Sequence, residues 1–449
     1  VKDLLEPDGV LLLAIENQLG LKYFAGAPED HLNRPMYGIE GRYSDHDPET
    51  FGRKSLMALL EEAGFSRSQF LFPMPDYKLP NSIVTQRGFE LGSFDAAALA
   101  WQNARKDPQL PSAPLFNLER AWPVIVSNGL GMELANSFLV AASSSTSNVV
   151  PPDMLAGHYN VSRKPGYCKQ TLFIETDDGI EVRHEPLRAE TAIDEEGAYR
   201  HVLSRVDRYR RGQALSQQFL NIASAPDWTL KDFGAFISRY LKALETLLEE
   251  RGHTATLNTL DERLPGLFID AVPHNILLDA ENRPALIDIE WDVQEGVLLG
   301  HLLIRALLLL IASAMPFCPG VMPLTRRQFI IHSLRHAGLE MPLPELEAFI
   351  EKEAEFQAFV TGIRADHFLN WEPEQIINPR AEPVQSKVLA KLYYSDEAGN
   401  FREDHALDIE VLPGHQQLQF SLKNLKTPPK RLRLDPVDRH ISFSVDNLR

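Results

Sequence analysis

Three side chains that bind hard cations stand at fixed offsets in one short stretch of the chain. Asn275 and Asp288 lie five and eighteen residues after Asp270. Carboxylate and amide oxygens suit Mg²⁺, and a further carboxylate orients the attacking hydroxyl when a phosphoryl group is transferred. The spacing therefore predicts a site in which Asp270 orients a hydroxyl while Asn275 and Asp288 hold Mg²⁺ against nucleotide phosphates.

A purely structural explanation of these residues stays open. An Asp followed five residues later by an Asn is common by chance, and residues 279–284 are typical of a polar turn between two buried strands. Apolar segments at 267–269, 276–278 and 285–289 flank the three polar positions. Spacing and flanking strands together favour a functional site over the chance explanation.

The motif resembles that of the protein-kinase-like superfamily, nearest to its aminoglycoside and sugar phosphotransferase branch. Upstream, 167–175 and 180–187 predict a β-hairpin. Residues 208–215 resemble the hinge of sugar kinases, and 233–251 have the period of the long helix before a catalytic loop. The resemblance implies an α+β bilobal domain, residues 152–375, that uses ATP and Mg²⁺.

The residues that would contact the nucleotide depart from that pattern. No Gly-x-Gly-x-x-Gly precedes the hairpin, and Arg183 or His184 replaces the Lys expected on the third strand. Lys169, on the neighbouring strand, and Arg183 are the candidates for nucleotide binding. Phe268 and Ile269 stand where His and Arg normally precede the catalytic Asp. An active phosphotransferase and a non-catalytic pseudokinase scaffold are both open.

The most apolar segment, 296–315, approaches the length of a membrane span. His301 and Arg305 lie one turn apart inside it, and Pro316 follows it. Ionisable residues are costly in a bilayer, so a buried core helix of the kinase-like large lobe is favoured over a span.

The N-terminal region carries a second resemblance. Residues 4–17 resemble the segment that enters the fifth strand of class I S-adenosylmethionine-dependent methyltransferases, an apolar run suited to a parallel sheet buried on both faces. Residues 53–65 match the last crossover helix of that fold, and 138–142 its last strand. Segments 17–31 and 73–80 resemble methyltransferases encoded with surface-polysaccharide enzymes.

This second resemblance covers only the C-terminal half of such a domain. The Gly-rich turn and the acidic residue that hold S-adenosylmethionine would precede Val1, so we expect a truncated domain that does not bind the cofactor unaided. Open α/β sheets bind ligands just past the strand ends, which makes five residues candidates for the methyl-acceptor side. They are Glu16, Asn17, Lys22, Tyr23 and His31. The alternative for each residue is a polar loop position on the solvated rim of the sheet, with no role in binding. For Tyr23, a role in packing is favoured.

Composition indicates a large multidomain protein. The 449 residues predict about three domains, and the net charge of −17 argues against a nucleic-acid partner. Only Cys168 and Cys318 are present, which suits a reducing, cytoplasmic compartment. A site of action at the inner face of the membrane is compatible with that compartment.

Breaks in the sequence define the predicted organisation. Residues 1–148 are expected to be a partial Rossmann-like α/β methyltransferase, 152–375 the kinase-like domain, and 384–449 a small β-sandwich. Short alternating runs predict the sandwich strands at 390–394, 407–411, 417–421 and 440–445. Residues 432–439 resemble a segment found before glycosyltransferase domains of polysaccharide synthesis proteins.

Together these resemblances imply a fragment of a bacterial surface-polysaccharide-modifying transferase. It would resemble bifunctional methyltransferase/kinases that cap O-antigen chains, phosphorylating a glycan hydroxyl and then methylating the phosphate. The implied partners are a glycan or lipid-linked polysaccharide acceptor and a fused or associated glycosyltransferase. The alternatives are a methyltransferase with a pseudokinase scaffold and a glycosyltransferase accessory module.

Overall fold

The computed structural model describes residues 2–6, 8–111, 114–144, 148–188, 197–254, 256–319, 323–378, 388–396, 398–402, 404–411, 417–423, 425 and 428–435. The chain divides into two compact units, residues 1–378 and 379–449. No helix among the described residues is both long and apolar enough to cross a membrane.

Strands and helices alternate irregularly along the chain. The strands are β1 (Val10–Glu16), β2 (Arg67–Met74), β3 (Ser82–Thr85), β4 (Ser137–Ser143), β5 (Met154–Asn160), β6 (Lys169–Thr176), β7 (Gly179–Pro186), β8 (Tyr199–His201), β9 (Val206–Arg208), β10 (Gln213–Ala214), β11 (Arg263–Leu264), β12 (Ile276–Leu278), β13 (Pro284–Leu286), β14 (Trp291–Val293), β15 (Val297–Leu298), β16 (Val388–Tyr394), β17 (Ala406–Val411) and β18 (Leu432–Asp435). The α-helices are α1 (Leu21–Phe24), α2 (Arg53–Glu62), α3 (Gln86–Glu90), α4 (Ala96–Trp101), α5 (Leu118–Ser127), α6 (Gly131–Leu134), α7 (Leu215–Ala223), α8 (Leu230–Glu249), α9 (Leu299–Ala314), α10 (Arg326–His336), α11 (Leu343–Thr361) and α12 (Ala365–Leu369).

A large antiparallel sheet forms one side of the first unit. Its strand order is β1-β4-β2-β3-β5-β6-β7-β9. Both β1 and β2 run antiparallel to β4, so they are parallel to each other across it. The pairing of β3 with β5 joins residues before and after the Ser-rich segment 143–148 in the same sheet. The predicted methyltransferase and kinase-like segments therefore share one continuous sheet.

The prediction for the surroundings of β1 was wrong. Its apolar sequence predicted a parallel strand buried on both faces, but its partner β4 is antiparallel and β1 lies at the edge of the sheet. Leu12 is 67% exposed as a result. Sequence alone reports that a strand is apolar, whereas its neighbours decide how much of it is covered.

Several local predictions are confirmed. β6 and β7 form the expected hairpin, closed at Gly179 with φ +126°, a conformation that glycine adopts without steric cost. The long helix before the predicted catalytic loop is α8, which begins with a capping box between Thr229 and Asp232. The predicted strand at 138–142 is β4, and the predicted hinge leads through β10 into α7.

The apolar segment at 296–315 is a buried helix, as predicted. α9 occupies its centre, and its apolar side chains join the core of the first unit. Its glycine, Gly300, packs so closely on the ring of Phe349 that a Cβ atom there would lie 2.2 Å from the ring. Helices α7 to α11 thus surround a common core that supports the loops of the site.

The second unit contains one antiparallel sheet in its described residues, with strand order β17-β16-β18. The predicted strands at 390–394 and 407–411 correspond to β16 and β17. Residues 417–421 are not a strand, and 432–435 form β18 instead. The expected strand at 440–445 lies outside the described residues, and the sandwich stays a prediction.

Candidate active site

The loop that carries Asp270 is fixed by close backbone contacts. Asp270 ends a 3-10 helix, Gly266–Asp270, whose first residue approaches β14 so closely that a Cβ atom on Gly266 would lie 2.1 Å from the carbonyl oxygen of Val293. Asp270 is 5% exposed, and its Oδ2 accepts hydrogen bonds from the backbone N–H groups of Glu290 (2.7 Å) and Trp291 (2.8 Å). The carboxylate thereby ties its loop to the segment that follows Asp288.

Asn275 is oriented by the same loop. Its Nδ2 donates to the carbonyl oxygen of Asp270 (3.0 Å), which leaves the amide oxygen available for a ligand. The backbone carbonyl of Asn275 accepts from the N–H of Ile287 (2.9 Å), and β12 pairs with β13 in the register Ile276↔Leu286. Asn275 therefore lies beside the backbone that leads into Asp288.

Asp288 has an unusual backbone conformation and a cationic partner. Its φ is +53°, a left-handed value that Asp and Asn tolerate better than most residues. Its Oδ1 accepts from the Nζ of Lys169 at 2.5 Å, and its side chain is 36% exposed. Within the described residues, the other carboxylate oxygen accepts no hydrogen bond and joins no ion pair.

Lys169 is the centre of the charged cluster. It begins β6, its side chain is 2% exposed, and its Nζ also lies 2.9 Å from Oε1 of Glu290. Burial alone would lower the pKa of the Lys169 ammonium, but the carboxylates of Asp288 and Glu290 raise it above its usual value. The ammonium group of Lys169 thus stays charged beside Asp288.

Glu290 balances two cations. Arg163, from the segment between β5 and β6, donates to both carboxylate oxygens of Glu290, and His201 Nε2 lies 3.9 Å from Oε2. Burial would raise the pKa of Glu290, but His201, Lys169 and Arg163 together hold it well below its usual range. Sequence reasoning named Glu290 as an outer ligand or an ion-pair partner, and the structure gives it the second role.

The polar residues inside α9 support the Asp270 loop from behind. Arg305 donates through Nε to the carbonyl of Ile269 (3.1 Å) and through Nη1 to Glu353 of α11 (2.7 Å), while His301 contacts the same carboxylate at 3.0 Å. An Arg305 nitrogen lies 4.0 Å from Oδ1 of Asp270. Burial raises the pKa of Asp270 to about 7, against the opposing effect of Arg305.

Sequence reasoning missed Arg163, His201 and the role of Arg305. For Arg305 a signal existed, since an Arg inside an apolar helix requires a buried partner. Arg163 and His201 are distant in sequence from the motif and carry no local signal.

Arg183 does not join the cluster. It lies in the middle of β7, opposite Leu172, where its exposed guanidinium pairs with Glu181 of the same strand. Lys169 stands at the end of the hairpin nearest the Asp288 loop, opposite Pro186. His184, the other replacement considered for the third-strand Lys, is buried against Thr171 and Asp207. Of the two predicted nucleotide-binding residues, the structure brings only Lys169 to the site.

The residues predicted for the methyl-acceptor side divide into three groups. Glu16 and Lys22 belong to a polar cluster at the C-terminal ends of β1 and β2. Asn17 is a structural residue, since its Nδ2 donates to the carbonyls of Glu133 (2.8 Å) and Ala135 (2.7 Å). His31 is exposed and lies outside the cluster.

Lys22 is completely buried in that cluster. Its Nζ lies 2.9 Å from Asp76 and 3.7 Å from Asp30, and it also donates to Gln109. Lys78 closes the outer side by contacting Glu16 at 2.6 Å. The described contacts thus surround the Lys22 ammonium with protein oxygens.

A second group of contacts completes the same cluster. Tyr23 donates to Asp30 (2.7 Å), and Tyr77 donates to Glu16 (3.0 Å). Tyr23 is buried, as its expected packing role requires. The acidic partners Asp30 and Asp76 were not foreseen from the sequence.

The side-chain oxygens of Asn275 and Asp288 are of the kind that Mg²⁺ binds together with nucleotide phosphates. Mg²⁺ usually takes one or two carboxylates and fills its remaining positions with phosphate oxygens and water. Asp288 supplies one carboxylate and Asn275 one amide oxygen. No group of three or more His, Cys, Asp or Glu side chains suited to a metal ion occurs in the described part of the chain. One carboxylate and one amide oxygen would leave most of the coordination positions of Mg²⁺ to phosphate oxygens and water.

Comparisons with protein-family models, with curated proteins and with solved structures found no match to this chain.

Proposed function

We propose that the region between β5 and α11 is a kinase-like phosphotransferase that transfers the γ-phosphoryl group of ATP to a glycan hydroxyl. One observation carries this proposal. Asp270, Asn275 and Asp288, chosen from their spacing and the apolar segments that flank them, are joined by hydrogen bonds through one loop and one hairpin, and Lys169 reaches the same place from the large sheet.

Each residue has a role in this proposal. Asn275 and Asp288 would hold Mg²⁺, which when bound neutralises the phosphate oxygens that carry charge in the transition state. Lys169 would turn from Asp288 toward the phosphates while Glu290 keeps it in place. Asp270 would accept the proton of the attacking hydroxyl through Oδ1, because Oδ2 is held by two backbone amides. A base with a pKa of about 7 is well matched to neutral pH.

We propose that the N-terminal region has the strand arrangement of the C-terminal half of a class I methyltransferase and contributes a second, methyl-transferring activity. The antiparallel β4 lies between the mutually parallel β1 and β2, and α2 precedes β2 in the chain. This agrees with the assignment of β1 as the fifth strand and β4 as the last strand of that fold.

S-adenosylmethionine would supply the methyl group for this second activity. Glu16 and Lys22 would lie on the acceptor side of the sheet. The expected glycan or lipid-linked polysaccharide acceptor, with a glycosyltransferase as a fused or associated partner, belongs to the same proposal.

A non-catalytic scaffold is the second candidate function for the kinase-like region. Two observations favour it: the deep burial of Asp270 with one oxygen fully used, and the neutralisation of Asp288 by Lys169. In a scaffold, the ammonium would take the place of the metal and stabilise the loop permanently.

Calorimetric titration with ATP and Mg²⁺, followed by phosphate transfer to mannose- or rhamnose-terminated oligosaccharides, separates these functions. Asp288→Asn should abolish Mg²⁺-dependent nucleotide binding, whereas Asp270→Asn should spare binding and remove most of the turnover. Asp366→Asn, an exposed carboxylate in α12, is the matched control and should change neither. Nucleotide binding without transfer would favour the scaffold, and no binding by the unmutated protein would sink the kinase proposal.

A further inference from the structure

A cavity of about 360 Å³ lies away from the charged cluster, between the end of α8, the β12–β13 hairpin and the segment that precedes β10. This volume is within the range of small-molecule sites. Its lining combines four arginines with an apolar surface. The arginines are Arg210, Arg211, Arg251 and Arg283, and the larger apolar side chains are Leu247, Leu277 and Leu286.

Most of the hydrogen-bonding capacity of these arginines is unused within the described part of the chain. Arg210 makes no side-chain hydrogen bond or ion pair there. Arg211 donates once, to the carbonyl of Gly92 (2.9 Å), and Arg251 once, to the carbonyl of Leu247 (3.1 Å). A guanidinium group carries five N–H donors. Arg210, Arg211 and Arg251 can therefore donate further hydrogen bonds to a ligand.

The acidic residues of the lining do not cancel this charge. Asp279 is occupied by its own turn, where it accepts from the N–H groups of Glu281 and Arg283 and from the Arg283 side chain. Glu250 is the other carboxylate of the lining. Arg210, Arg211 and Arg251 therefore face one unengaged carboxylate, in a chain whose net charge is −17. A cluster of this sign on an acidic protein attracts anions that the rest of the surface repels.

We propose that this cavity binds a phosphate-bearing ligand with an apolar portion. The planar guanidinium group matches phosphate oxygens in pairs, which an ammonium group does not. Leu247, Leu277 and Leu286 would contact the apolar portion of the ligand. The site does not depend on phosphoryl transfer, since it shares no residue with the Asp270–Asp288 cluster.

The position of the cavity links it to the candidate active site. The β12–β13 hairpin forms one wall, and its two strands lead directly from Asn275 and toward Asp288. A ligand bound there would stiffen the hairpin that orients both residues. The same phosphate chemistry could come from a soluble metabolite or from a lipid headgroup.

Calorimetry on the full chain tests the site with pyrophosphate, phenyl phosphate and inorganic phosphate as probes. Vesicles of phosphatidylglycerol mixed with phosphatidylcholine test the lipid source by co-sedimentation. The double variant Arg210→Ala/Arg211→Ala should weaken binding roughly tenfold or more. Arg200→Ala/Arg205→Ala removes the same charge from another part of the surface and is the matched control. Asp288→Asn shows whether the probes occupy the other site instead.

Arginine-dependent binding of the soluble probes, with phenyl phosphate stronger than inorganic phosphate, supports a soluble ligand. Arginine-dependent binding to phosphatidylglycerol vesicles alone supports a lipid headgroup. The proposal is overturned if neither probe set binds, if the two double variants weaken binding equally, or if only Asp288→Asn weakens it. Because nucleotide transfer plays no part in these readouts, failure here leaves the phosphotransferase proposal untouched, and the reverse also holds.

Discussion

Two buried lysines in this protein have nearly the same chemistry and opposite surroundings. Lys22 lies 2.9 Å from Asp76 and 3.7 Å from Asp30, and Lys169 lies 2.5 Å from Asp288 and 2.9 Å from Glu290. The Asp76 and Asp30 side chains are each 4% exposed, whereas that of Asp288 is 36% exposed and its φ is +53°. The first cluster is closed, while the second keeps one carboxylate open to a ligand. Burial of the carboxylates, more than the presence of a lysine, separates a structural ion cluster from a site able to exchange partners.

The largest expected effect of this difference is on stability. Lys22→Met should lower the free energy of unfolding by about 3–5 kcal/mol, because Asp76 would stay buried without its cation and Asp30 would keep only the partly exposed Lys78 at 3.4 Å. Lys169→Met should cost about 1–2 kcal/mol, since Asp288 can be hydrated and Arg163 still neutralises Glu290. Urea unfolding of both variants measures the two values. Equal losses would show that exposure of the carboxylates does not distinguish the clusters.

The buried Asp270 should make stability depend on pH. Burial raises its folded pKa to about 7 from an unfolded value near 3.9, so the folded state binds the extra proton between these values. Its contribution is complete below pH 4 and declines as pH rises through 7, by about 4 kcal/mol at most.

Asp270→Asn should remove that decline, as measured by urea unfolding between pH 4 and 8. Burial lowers the pKa of His158 and His274 to about 4, so these residues act in the opposite direction up to about pH 6.5. The difference between the unmutated protein and the variant isolates Asp270, since both proteins share the histidines. A constant difference across this range would contradict the raised pKa.

The smallest expected effect on stability is at the open carboxylate. Asp288→Asn keeps a side chain that tolerates positive φ, and Lys169 retains Glu290 as its partner. The free energy of unfolding should therefore change by less than about 1 kcal/mol. Asp76→Asn, at the equivalent position of the closed cluster, should cost clearly more in the same denaturation experiment. A large loss from Asp288→Asn would indicate that this carboxylate is structural as well.

Sequence by itself determined the local elements and the three motif residues Asp270, Asn275 and Asp288. Alternation and turn residues predicted the β6–β7 hairpin, helical period predicted α8, and the buried state of α9 followed from His301 and Arg305. Spacing placed Asp270, Asn275 and Asp288 together because the four residues between the first two form one short turn and the β12–β13 hairpin brings the chain back. These relations are short in sequence, so local geometry fixes them.

Only the tertiary structure decided which distant residues complete each cluster. Arg163 and His201 reach Glu290 through pairings between strands that are far apart in the chain, and Arg183 misses the site because it lies three positions before the residue opposite Lys169. The edge position of β1 likewise depends on its neighbour β4. The chemistry of a side chain is a property of the residue, whereas its burial is set by the whole fold. Burial in turn sets the pKa of the side chain and its access to a ligand.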